Sequence, residues 1–228
     1  MEAANKRTGK KRKISGGFLG ILAAIGMIFC ALYSLGVINF QTTNEVKLQP
    51  DGFGSLYTGR MVNNVMDGQG EIVYKGGDKY DGDFVNGEYY GNGVYTAAAG
   101  WKYSGKFKNG LPDGNGIFTD ANGGVFIGAF DAGNISGKGA FYASIGWSYD
   151  GMWDQGRQVG QGTFHFKDGS MYTGGFKDGA ASGNGVYSDV AGWNYEGGFS
   201  QGLFDGTGTL TYKDGEKISG EWSAGAPV

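Results

Sequence analysis

The sequence predicts an all-β fold: a single-layer, extended antiparallel sheet of seven to eight 23-residue β-hairpin repeats, preceded by one transmembrane α-helix. Three observations carry that expectation. The 228 residues include 48 glycines but only three prolines, which excludes collagen and points to a tandem glycine-rich repeat. Aromatic and glycine positions return in register every 23 residues. One long apolar run stands ahead of the first repeat. The 15 Phe, 14 Tyr and 5 Trp argue against a disordered low-complexity chain.

Residues 1–13 form a basic tail. They hold six of the 19 Lys/Arg and one of the 22 acids, leaving 13 Lys/Arg against 21 Asp/Glu afterwards. Residues 14–40 follow as the expected signal-anchor helix. No charge interrupts residues 14–44, and the 21 residues of 18–38, rising about 1.5 Å each, reach across the ~30 Å hydrocarbon core of a bilayer. Because Lys6, Arg7, Lys10, Lys11, Arg12 and Lys13 precede the run, the positive-inside rule keeps the amino terminus cytoplasmic and exports the body. This predicts a single-pass protein of the plasma membrane. A cleaved signal peptide is the rival reading, with Ser34-Leu35-Gly36 as its cleavage site. The run exceeds the ~7–15 apolar residues usual there. Gly16, Gly20 and Ala24 recur on one helix face, a spacing that lets two membrane helices pack closely.

Residues 41–56 read as a linker and amino-terminal cap. Repeats then fill 57–228, opening at Tyr57, Tyr80, Tyr103, Phe126, Tyr149, Tyr172, Tyr195 and Ile218. Two positions on stands Gly, and two further a large apolar residue, as in Gly82 and Phe84. A Gly-x-Gly pair follows in the seven complete units, and another Gly stands three residues before the next unit. Alternation puts Tyr80, Gly82 and Phe84 on one face of a strand, away from Asp81 and Asp83. The same parity places Gly91, Gly93 and Tyr95 on that face of the returning strand. Between them Asn86-Gly87 is a hairpin-turn signal, because Gly tolerates φ > 0. The opposite face is mostly polar. Stacked hairpins share strand pairing, so stability grows with repeat number, and fourteen strands at ~4.8 Å spacing give a sheet of roughly 65 Å.

This pattern resembles the MORN (membrane occupation and recognition nexus) family. Its signature is close to Tyr-x-Gly-x-Trp/Phe-x-x-Gly-x-x-x-Gly-x-Gly, instanced from Tyr149, Gly151 and Trp153 through Gly156, Gly160 and Gly162. Departures are mild: Met61 replaces the aromatic and Asn64 the turn Gly, Phe126 replaces Tyr, and Ile218 opens a truncated last unit. The resemblance implies an extended antiparallel scaffold, often self-associating, with phospholipid binding claimed for some members. The catalytic members carry a separate enzyme domain that this chain lacks.

Alternate units carry Trp two residues before the opening position: Trp101, Trp147 and Trp193 recur every 46 residues. By parity they join the aromatic face. They are either indoles inherited from a duplicated pair of repeats and packed over small neighbours, or platforms about 19 Å apart if four strands separate them. The candidate binding residues are thus Tyr80, Phe84, Trp101, Tyr103, Phe107, Trp147, Tyr149, Trp153, Tyr172, Phe176, Trp193, Tyr195 and Phe199.

An enzyme needs a nucleophile with its base, a metal cluster or paired carboxylates in a pocket. The lone Cys30 lies in the apolar run and the lone His165 has no recurring partner, so no catalytic role, cofactor or Cys-based metal site is expected. The acidic body repels nucleic acid and weakens a phospholipid reading. The remaining expectation is a non-catalytic scaffold that binds a partner protein or itself. A module stacking on wall or surface glycan is the alternative, because aromatic faces suit either. Self-association would use the last half-repeat, where Ile218, Gly220 and Trp222 present an unclosed sheet edge that a second copy could complete as a homodimer.

Overall fold

The computed structural model describes the backbone of Val46–Leu48 and residues 54–228. The expected helix over 14–40, with Gly16, Gly20 and Ala24, lies outside the described residues. Among the described residues no helix is long and apolar enough to cross a membrane. Seventeen strands, β1–β17 in chain order, make one antiparallel sheet. Each strand pairs with its neighbours in sequence, so the sheet is a simple meander that does not close.

From β2 (Leu56–Val62) and β3 (Val65–Val73) onward, a seven-residue entering strand alternates with a nine-residue return strand. The pattern runs through β4 (Lys79–Val85) and β5 (Glu88–Thr96) to β14 (Asn194–Ser200) and β15 (Leu203–Thr211). The period of 23 is thus one hairpin plus its two turns. Within a hairpin the turn is of the primed type that matches strand twist: Asn86 and Gly87 have φ of 51° and 85°. Between hairpins the turn closes differently. Gly77 N–H donates to the Tyr74 carbonyl, Tyr74 N–H to the Asp78 carbonyl, and Gly77 takes φ 96°, a tight turn followed by a glycine bulge.

Both ends of the sheet carry a short extra strand. In the stretch read as a linker, β1 (Val46–Leu48) pairs with Tyr57–Gly59 of β2. At the other end the last unit is not a half-hairpin. β16 (Lys217–Ser223) turns through Ala224 and Gly225 and pairs with the two-residue β17 (Ala226–Pro227). Trp222 is buried, edge-on to Tyr195 and Phe204, so it is already packed within its own chain. Ile218 stays exposed.

One further expectation fails for a reason visible in the register. Each hairpin carries a bulge: Gly105 faces Gly116, but two residues on Phe107 faces Pro112. The extra return-strand residues break strict alternation. A Cβ placed on Gly91 would therefore meet the Asp83 side chain, and one on Gly114 would meet Lys106. The first Gly of each Gly-x-Gly pair turns to the polar face with φ > 0, as at Gly91 (61°) and Gly114 (90°). Only the second shares the aromatic face.

Candidate functional site

The aromatic face is built in two rows. The first comes from the entering strands. Tyr57, Tyr80, Tyr103, Phe126, Tyr149, Tyr172 and Tyr195 are all buried, and each lies over two glycines of its own hairpin. A Cβ on Gly82 would sit 2.5 Å from Gly93 Cα, and one on Gly93 would sit 2.4 Å from the Tyr80 hydroxyl. The missing side chains make room for a ring, and the ring belongs to the same repeat. Where the register slips, the phenol meets a backbone carbonyl three residues on: Tyr80 Oη donates to Asp83 O at 2.9 Å and Tyr103 Oη to Lys106 O at 2.9 Å. Burial pushes the phenols of Tyr57, Tyr103, Tyr149 and Tyr172 up to about 12.

The apolar residue four positions later seals the row. Phe84 stands edge-on to Tyr57 and Tyr80, with centroids 5.3 and 5.1 Å away. Phe107, Phe130, Trp153, Phe176 and Phe199 repeat that contact with the tyrosine or phenylalanine before and beside them. Trp153 Nε1 also donates to Gly139 O at 2.9 Å, across to the preceding repeat. Ten of the thirteen candidate binding residues thus lie in this sealed row and are at most 8% exposed. They form the core of a sheet that has no second layer among the described residues. Overlapping quadrupoles in edge-on geometry, and not only area, hold such rows.

The remaining three, Trp101, Trp147 and Trp193, are half-buried and do join the aromatic face. They are not isolated platforms, because rings from neighbouring return strands fill the gaps. Trp101 stacks on Tyr95 at 5.0 Å and leans on Phe118 at 5.9 Å. Trp147 lies between Phe141 and Phe164, and Phe164 continues through Phe166 and Tyr187 to Trp193. This second row is a half-buried aromatic ribbon along one rim.

A position that sequence reading passed over decides what covers the first row. The tenth residue of each repeat is Met66, Tyr89, Pro112, Ile135, Gln158, Ala181 or Phe204. Tyr89 lies flat on Tyr80 and Phe204 flat on Tyr195, both at 3.8 Å. At Ala181 no ring is supplied. A cavity of about 510 Å³ opens there, bounded by Tyr172, Phe176, Ala181, Phe199, Tyr187 and Phe204. Ala181 is the smallest side chain in that column of the sequence, and this is the signal that could have found the site.

Near the first repeats the same face is polar at its rim. The Tyr74 and Tyr89 hydroxyls bond to each other, and Tyr95 Oη donates to Asp78 Oδ2 at 2.6 Å. That bond, with the Ala98 amide, holds the Asp78 carboxyl below the usual range. No group of metal-ligating side chains exists among the described residues, and His165 is exposed on a return strand.

An open meander of like hairpins with an aromatic face and a rim ribbon defines a β-repeat protein. Residues 57–79, 80–102, 103–125, 149–171, 172–193 and 195–217 each match the MORN repeat model, together more than half of the chain. The chain belongs to the MORN repeat family. The matches skip 126–148, the unit that opens with Phe126 in place of Tyr. No curated protein matches the chain. Among solved structures it is similar to the TCP domain of SAS-4 (dCPAP) of Drosophila melanogaster, solved with a proline-rich motif of Ana2 (dSTIL), at 13% identity, 69% of this chain, 86% of that chain and TM-score 0.42. The wild-type TCP10 domain of Danio rerio CPAP follows at 11% identity, 78% and 99% coverage and TM-score 0.25.

Proposed function

We propose that this MORN repeat protein is a membrane-anchored, non-catalytic scaffold that holds a partner protein on the aromatic face of its exported sheet. The observation that carries this reading is the rim ribbon. Phe141, Trp147, Phe164, Phe166, Tyr187 and Trp193 form a continuous run of ring contacts that stays half open, and contiguous apolar surface of this kind marks interaction sites. The anchor rests on the basic flank and the charge-free residues 14–44.

Full-length protein in native membranes serves as bait, beside a Trp147→Glu variant that places charge in the middle of the ribbon. A defined partner retained by the wild type and lost from the variant is the expected result. Identical retention by both removes the ribbon from the function. Protease added to intact cells should digest the repeats, and a protected body removes the export. The net acidity of the chain after residue 13, 13 Lys/Arg against 21 Asp/Glu, makes anionic lipid a poor competitor, and glycan binding stays the alternative reading of the same rings.

A further inference from the structure

The box over Tyr172 has an internal standard in its sister repeats. In the second repeat the ring of Tyr89 rests on Tyr80 with an interplanar angle of 13°, and Phe84 and Phe107 meet it edge-on at 5.6 and 5.8 Å. In the seventh, Phe204 rests on Tyr195 at 11°, with Phe199 and Trp222 edge-on at 5.4 and 5.6 Å. Floor and walls are the same in the sixth repeat: Tyr172 below, Phe176 at 5.2 Å and Phe199 at 4.7 Å beside it. The stacked ring is missing, yet Tyr172 is only 3% exposed. Phe199 is tilted to 66° against it where the sister walls stand at 79° to 88°, so an incoming ring reaches Tyr172 by turning Phe199 upright. The fifth repeat has the same floor and walls in Tyr149, Trp153 and Phe176, but Gln158 occupies the lid position and reaches toward Gly179, and the cavity does not extend over Tyr149.

Charge at the groove's end narrows the occupant. Asp189 Oδ2 accepts a bond from the Tyr187 hydroxyl at 3.2 Å, and burial pushes that phenol upward, with Asp189 and Asp168 adding to the rise against a hydrogen bond with Ser170 that lowers it. Neither carboxylate has an ion-pair partner among the described residues. The chain after residue 13 is acidic as a whole, 13 Lys/Arg against 21 Asp/Glu. A ring alone would fill the box. A ring with a cation next to it would also answer the carboxylates.

We infer that the Tyr172 box is a receptor for one aromatic side chain of a partner polypeptide, flanked there by Lys or Arg, which lies flat on Tyr172 where Tyr89 and Phe204 lie in the sister repeats. The inference rests on the scaffold reading and names the residue type the scaffold grips. It adds a defined anchor point at one end of the ribbon, of the kind that dominates interface energetics when an aromatic side chain becomes fully desolvated.

The test uses the full-length chain in lipid nanodiscs and a synthetic Gly/Ser peptide carrying one 4-fluorophenylalanine between two lysines, read by fluorine NMR. A saturable shift is expected. Ala181→Phe, which supplies the missing ring from within, should weaken it by at least about tenfold, as should replacing the fluorophenylalanine by leucine in a competing peptide. Ala181→Phe should melt no lower than the wild type, since the seventh repeat holds such a ring; if it does melt lower, Ala181→Leu blocks the floor instead. Absence of a saturable shift, equal binding by the blocked variant, equal competition by the leucine peptide, or displacement by cellohexaose each overturns the proposal. Ala181→Phe leaves Trp147 untouched. A missing peptide signal with the partner still held on wild-type membranes therefore condemns the box alone, whereas failure to find any partner whose retention depends on Trp147 condemns the scaffold reading.

Discussion

The second and the sixth repeats fold on the same frame and differ in what lies over it. In the second, Tyr80 is covered by Tyr89, whose hydroxyl is in turn tied to Tyr74, and the slot before the opening tyrosine holds Asp78, bonded to Tyr95. In the sixth, Tyr172 has no covering ring, and the slot holds buried Ser170, whose Oγ accepts a bond from Val190 N–H at 3.2 Å. The glycines, bulge and paired turns are common to both. A single-layer sheet must make its core from its own side chains. Here the entering strand supplies a constant floor and walls, and the tenth residue decides whether the face is closed or receptive.

The sharpest way to break this picture is to attack the shared frame. Gly105→Val puts a Cβ 2.6 Å from both Gly116 Cα and the Tyr103 hydroxyl, and neither can move without opening the hairpin. Denaturant unfolding should show a loss of about 3 kcal/mol, the upper end of overpacking costs. Gly174→Val should cost the same in the sixth repeat, where the Tyr172 hydroxyl and Gly185 Cα stand at 2.5 and 2.6 Å. Unequal losses would mean the frames are not equivalent. Next comes the lid. Tyr89→Ala removes one stacked and two edge-on ring contacts and should cost about 2–3 kcal/mol in the same measurement, near the low end for large core truncations because the ring is only partly buried. It should also open a second box, so that the fluorinated peptide titrates to a higher stoichiometry than with the wild type.

A smaller effect belongs to the hydroxyls. Tyr103→Phe deletes the bond to Lys106 O, worth about 1 kcal/mol, and Phe126 shows that the frame accepts Phe at this position. The same variant should change the alkaline limb. A phenol held up to about 12 in the fold but releasing its proton near ~10 when unfolded contributes stability that is complete below pH ~10 and is lost as pH rises through the folded value. Melting temperature against pH should therefore fall less steeply above pH ~10 in Tyr103→Phe than in the wild type. Smallest of all is Lys106→Thr on the polar face, expected within about 0.5 kcal/mol of zero; a loss comparable with Gly105→Val would reverse the assignment of faces.

The period, the two faces and the hairpin turns were legible because Asn86-Gly87, Tyr80-Gly82-Phe84 and Trp101 each obey a local rule that a short window displays. The bulge was not, since parity counting assumes unbroken alternation, and Gly91 therefore fell on the wrong face. β1 and β17 carry too few residues to show a period. The depth of burial at Tyr80 or Tyr149 depends on rings reaching across from adjacent repeats, and so is a property of the assembled sheet. The Tyr172 box was hidden for a related reason. Its signal is one small residue, Ala181, and it acquires meaning only when Tyr89 and Phe204 are seen lying on their floors.

The turn glycines also donate backward. Gly87 N–H bonds to Met66 O, Gly110 to Tyr89 O, Gly179 to Gln158 O and Gly225 to Phe204 O, at 2.8–3.0 Å. Each staple joins one hairpin's turn amide to a carbonyl just past the turn of the hairpin before it, so an inner tip donates toward the amino end and accepts from the carboxy end. Removing a repeat from the carboxy end leaves its neighbour an unpaired carbonyl, whereas removing one from the amino end leaves its neighbour an unpaired turn amide. The two ends of the array therefore differ chemically although every repeat is built on one frame.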